Sequence, residues 1–156
     1  MPGTQQGGCQ CGAVRYRFSA APLTLYLCHC TECQKQSSSA FGMSLWLRRE
    51  DLEFTSGELK FWQRGTDSGG TTHCAFCPEC GTRLYHASSL DSEIVSLKAG
   101  SLDDISWLDP VGHIWTRSAQ PWVPIDRSDG TLVYEAQPES DDELIARYRA
   151  TLTSGA

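Results

Sequence analysis

Eight cysteines fall in three short groups, and their spacing constrains what this chain can fold around more than any other feature. Cys9-Gln10-Cys11 precedes Gly12, Cys28, Cys30 and Cys33 lie within six residues, and Cys74, Cys77 and Cys80 precede Gly81. Cys77-x-x-Cys80-Gly81 has the form of a zinc knuckle. Two thiolates at that spacing grip one ion, and the glycine lets the chain turn back behind them. A structural zinc site takes four ligands in a tetrahedron, so a second pair must come from elsewhere. Cys9 and Cys11, also followed by a glycine, are the natural choice, and the ion would then close a long loop. A disulfide or unligated core thiols are the plainer alternatives.

The middle group points to different chemistry. Three protein ligands and one open position mark a reactive zinc. Three thiolates make the ion electron-rich, so it favours a soft fourth ligand such as a thiol. A metal-bound thiol is deprotonated at neutral pH. The pattern therefore suggests thiol activation by Cys28, Cys30 and Cys33. The competing reading is a closed site completed by His29, Cys74 or another residue. Cys74 matches neither pattern and is expected to be a buried or idle thiol.

The chain has 156 residues and reads as a single domain, 1–156, with 40% hydrophobic residues for a modest core. A formal charge of -6 excludes a basic nucleic-acid footprint. Two divalent ions and seven thiolates would take it to about -9. No stretch reaches the ~18 apolar residues that span a bilayer. The polar start MPGTQQGGCQ lacks the apolar core of a signal peptide, so a cytoplasmic location is expected. A reducing compartment disfavours disulfides and strengthens the metal reading. Short β-rich runs recur at 13–18, 23–27, 41–47, 59–63, 82–85, 93–98 and 113–116, separated by turn signals such as Ser56-Gly57. A short helix is expected within 31–39. A longer one over about 140–150 would be capped by Ser140, with Leu144, Ile145 and Tyr148 on one face. Residues 151–156 are expected to fray.

At GGCQCGAVRY (7–16), CHCTECQKQSSSAFG (28–42), FCPECGTRLY (76–85) and HIWTRSAQPW (113–122), the chain resembles the glutathione-dependent formaldehyde-activating enzyme family, which includes centromere protein V. The likeness runs over about residues 5–125. It implies a mostly β fold, a β-tent of twisted antiparallel sheets held by structural zinc, to which the tail adds a C-terminal helix. It also implies two zinc ions: Cys9, Cys11, Cys77 and Cys80 match the structural ligands, and Cys28, Cys30 and Cys33 match the catalytic ones. The activity implied is joining glutathione to formaldehyde, a carbon–sulfur lyase reaction run in reverse.

On that reading a small thiol, glutathione or one like it, is the partner, with neither nucleic acid nor membrane. His113, Trp115 and Trp122, in the late motif, are the candidates for lining its pocket, although such residues more often serve the core of a β-rich domain. Arg83, Lys98 and Arg117 are candidate partners for glutathione's carboxylates. The rival reading is a non-catalytic zinc-binding or redox-sensing module. A chromatin role by analogy with centromere protein V would need a basic patch or tail, which the sequence lacks.

Overall fold

The computed structural model describes residues 3–154. The chain is mostly β, as its short alternating runs predict. Among the described residues there are eleven strands, a seven-residue helix and a thirteen-residue C-terminal helix. The backbone gathers into two compact units. The first takes the chain up to Pro22 and then Trp46–Trp107; the second takes Leu23–Leu45 and the chain from Leu108 onward.

In the first unit β1 (Gln5–Gly8) pairs antiparallel with β2 (Arg15–Phe18), and β2 with β5 (Glu53–Ser56). The turn between β1 and β2 carries Cys9 and Cys11. Four further strands form an antiparallel meander: β6 (Lys60–Gly65), β7 (Thr71–Phe76), β8 (Arg83–Ser88) and β9 (Ile94–Lys98). The turn from β7 to β8 carries Cys77 and Cys80. Directly paired residues share a face of a sheet. One cross-strand row of the meander is Phe61, Ala75, Tyr85 and Leu97, and the next is Trp62, Cys74, His86 and Ser96. The first row meets the core: Ala75, Tyr85 and Leu97 are buried, and Tyr85 packs on Phe54 of β5, which packs in turn on Tyr16 of β2.

The second unit is built on β3 (Thr24–Cys28), which pairs in parallel with β10 (Gly112–Ile114), as β10 does with β11 (Leu132–Val133). Helix α1 (Thr31–Ser37) follows the middle cysteines, where a short helix was expected. β4 (Gly42–Arg48) leads the chain back into the first unit. The run expected as a strand to Thr116 stops at Ile114. There Trp115 turns into the left-handed region at φ 60°, and residues Thr116–Ser118 form a 3-10 turn. Their N–H groups go to Tyr134 and Glu135 carbonyls or back onto Trp115, so this segment is hydrogen-bonded as a loop.

Helix α2 (Asp142–Ser154) is the predicted tail helix, with Ser140 Oγ accepting a hydrogen bond from the Asp142 amide. It outlasts the expected end near residue 150: positions 151–154 are helical, and the expected fraying of 155 and 156 lies outside the described residues. Leu144 and Tyr148 are buried, Ile145 half-buried, and Thr24 Oγ1 donates to the Leu144 carbonyl.

Leu144 is fully buried, so Leu144→Ala should cost roughly 2–5 kcal/mol, read from urea unfolding. A pH effect arises in the first unit. Burial first, then the charges of Lys98, Arg83 and Arg64, push the His86 pKa down to about 2. The unfolded chain takes up this proton near 6.5 and the folded chain does not, so stability falls as pH drops below about 6.5. In the upper part of that window, His86→Asn should flatten the pH dependence of the urea midpoint.

Candidate metal centres

The first group comes together from two turns of like construction. Cys9 N donates to the Val14 carbonyl and Gly12 N to the Cys9 carbonyl; Cys77 N donates to the Thr82 carbonyl and Gly81 N to the Cys77 carbonyl, all at 2.9–3.0 Å. Gly12 and Gly81 sit at φ 80° and 74°, where a side chain would be strained although nothing crowds either position. The result places the sulfurs of Cys9, Cys11, Cys77 and Cys80 all within 4.8 Å of one another, so they could hold a metal ion. Cys9–Cys11 and Cys11–Cys77 sulfur distances are 3.5 and 3.8 Å. Four sulfurs about 2.3 Å from a tetrahedral zinc lie about 3.8 Å apart, so the donor set fits that ion.

The surroundings favour thiolates unevenly. The Val14 amide donates to Cys9 Sγ at 3.2 Å, and the Thr82 hydroxyl lies 3.2 Å from Cys80 Sγ. Hydrogen bonds from the side chain and backbone of Thr82 pull Cys80 down to about 5. A backbone hydrogen bond at Ala13 favours the Cys11 thiolate, but contacts with Cys9 and Cys80 oppose it and leave Cys11 at about 12. Four thiols this close do not all lose their protons without a cation among them.

Cys28, Cys30 and Cys33 form the second group. Their sulfurs also lie within 4.8 Å of one another, with no fourth Cys, His, Asp or Glu in the group among the described residues. Cys28 ends β3 and is buried, while Cys30 and Cys33 are half-buried. Cys30 is the N-cap of α1, its sulfur accepting from the Cys33 amide at 3.3 Å. Hydrogen bonds with Cys28 and then Cys33 pull the Cys30 thiol down to about 2, and the reciprocal contacts with Cys30 and Cys33, added to burial, push Cys28 up.

A model of the glutathione-dependent formaldehyde-activating enzyme family matches residues 4–118. The chain belongs to this family. It is also 27% identical over 154 residues to a Halomonas elongata protein provisionally named a glutathione-dependent formaldehyde-activating enzyme, covering 94% of this chain and 95% of that one. A crystal structure of a Rhodobacter sphaeroides protein shares the fold with a TM-score of 0.53 at 20% identity, over 83% of this chain and 98% of that one.

Within this member of the family, the late motif reaches the second group through β10 and hydrogen bonds. His29 is buried and stacks on His113, with ring centroids 5.1 Å apart and His29 Nε2 2.8 Å from His113 Nδ1. Burial first, and then the charge of His113, lowers the His29 pKa; burial lowers that of His113. Across this contact one ring nitrogen donates to the other. Gln34 of α1 donates to the carbonyls of His29 and Ser118 and accepts from Gln120, whose carbonyl oxygen accepts from the Trp122 indole. Neither Gln34 nor Gln120 carries a sequence signal for this role; both lie inside the matching motifs as ordinary polar residues. Trp115 is half-buried under the Arg117 guanidinium, 4.7 Å from its ring. Trp122, expected more often in a core, is 71% exposed, because it lies in an irregular segment rather than on a strand.

Cys74 belongs to neither group. It is buried on β7, with its thiol pushed up by burial. Of the remaining sequence candidates, Arg83 and Lys98 lie on β8 and β9. In metal analysis of purified protein, Cys77→Ser should lower the bound metal by about one equivalent, and Cys74→Ser should leave it unchanged.

Proposed function

We propose that this chain is a zinc-dependent carbon–sulfur lyase that joins glutathione, or a similar small thiol, to formaldehyde and releases it again. Cys9, Cys11, Cys77 and Cys80 would hold a structural zinc, and Cys28, Cys30 and Cys33 a catalytic one. The observation that carries the reading is the three-thiol group, open on the side of Cys30 and Cys33, in a member of this family. Zinc bound there keeps a fourth sulfur deprotonated at neutral pH.

The chain's own residues do the rest. Cys28 is anchored in β3, and the Gln34 amide fixes the turn through the His29 carbonyl, so the outward thiols of Cys30 and Cys33 keep their spacing. The His29–His113 pair backs that turn. His113, Trp115 and Trp122 would border the thiol's path. Their contribution is positioning, which suits an addition that needs proximity more than force. A cytoplasmic location, where thiols are kept reduced, would suit a protein that holds metal through seven of them. Each compact unit takes two separate stretches of chain, which supports one domain rather than two detachable ones.

The half-exposure of Cys30 and Cys33 also favours a second reading, a redox-sensing module that loses its metal on oxidation. Exchange of labelled formaldehyde with glutathione, followed by NMR, separates the two. The lyase should accelerate exchange over buffer, and Cys30→Ser should abolish the gain. Exchange at the buffer rate with metal-loaded protein would leave the sensor as the better account.

A further inference from the structure

The four strands β6–β9 carry Lys60, Arg64, Arg83 and Lys98 and no Asp or Glu, while the turns between them carry Asp67, Glu79, Asp91 and Glu93. Register puts these cations on one face. Lys60 and Arg64 flank Trp62 at two-residue spacing. Trp62 pairs with Cys74, Cys74 with His86, and His86 with Ser96, two residues before Lys98. A register shift between Ala75 and Phe76 pairs Phe76 with Arg83, which brings Arg83 to the same side. Its guanidinium lies over two rings of that face, 5.6 Å from Trp62 and 5.4 Å from Phe76. The opposite face is the apolar row that meets the core.

Two polar nitrogens here are shielded from solvent. Arg83 Nη1 and His86 Nε2 have no hydrogen-bond partner among the described residues. A buried guanidinium nitrogen left so is costly, and an acceptor would relieve it. The charges of Arg83, Lys98 and Arg64 all act on Cys74 and His86, and Arg83 also hydrogen-bonds to the Cys74 side chain, so Cys74 occupies only part of the fork. Trp62 is 49% exposed, so the face reaches the surface at its ring. An arginine placed against two aromatic rings can present its fork to an oxyanion.

We infer that this face of the meander is an oxyanion-binding site, in which Arg83 donates to a carboxylate or phosphate group, His86 adds a second donor in its Nε2–H tautomer, and Lys98 and Arg64 supply the attracting charge. The site needs neither the lyase reading nor any metal to be correct. The bound group is the carboxylate of a ligand or free phosphate, and the two probes below tell these sources apart.

The test uses full-length, metal-loaded, nitrogen-15-labelled protein titrated with sodium acetate and, separately, sodium phosphate, with ionic strength held constant by sodium chloride. A saturable shift of the Arg83 Nε–Hε resonance and of β8 amides is expected with at least one probe. Saturation by acetate points to a ligand's carboxylate, and saturation by phosphate alone points to a phosphate group. Arg83→Met should weaken binding by about tenfold or more, as read from the β8 amides. Arg83→Lys, which keeps the charge without the fork, should recover only part of that loss. Lys98→Gln should give a smaller loss, and it serves as the test if the Arg83 variants fail to fold. Shifts that grow linearly with concentration, match those of chloride and ignore these substitutions would overturn the site.

Discussion

The meeting of two turns at four sulfurs is the constraint on which the first unit depends. Cys11 and Cys77 are 66 positions apart, and closing a flexible loop of that length costs about 4 kcal/mol beyond a constant. Zinc bound by four such ligands in small peptides contributes about 10–16 kcal/mol at neutral pH, so an ion at this site exceeds the closure term severalfold. The strands on either side are short: β1, β2 and β5 have four residues each. Strands of that length hold little on their own. An ion at this site would tether the β1–β2 turn to the β7–β8 turn and supply order that their ladders lack.

The second group has a different support. It lies at the end of a buried strand and the start of a seven-residue helix, and its neighbours come from the late motif. The side chain of His29 is turned onto His113, and Gln34 reaches two carbonyls, one of them 84 positions away. The turn that carries Cys30 and Cys33 is thus held by groups outside the three-thiol set.

Much of this was readable from the cysteines alone, because thiolate spacing and a following glycine have few structural solutions. The β-rich runs 23–27, 41–47 and 93–98 likewise located β3, β4 and β9. The strands without such runs were not legible. β1 is Gln-Gln-Gly-Gly, and β7 is polar through Thr71, Thr72 and His73; both are strands because neighbours pair with them. Trp115 gave no warning of its left-handed turn, since a tryptophan has no local preference for one. The extra turn of α2 had no cue either. His86 and Arg83 were invisible as a pair because a register shift, not sequence spacing, aligns them.

The order in which the elements enter the chain has a consequence for synthesis. The thiols of the second group are made early, at 28–33, but β10 and α2, which complete their unit, come after residue 111. The four thiols of the first group are all present by Cys80, and their unit needs nothing beyond Trp107. In translation, all four thiols of the first group are therefore present before β10 and α2, the elements that complete the surroundings of Cys28, Cys30 and Cys33, have been made.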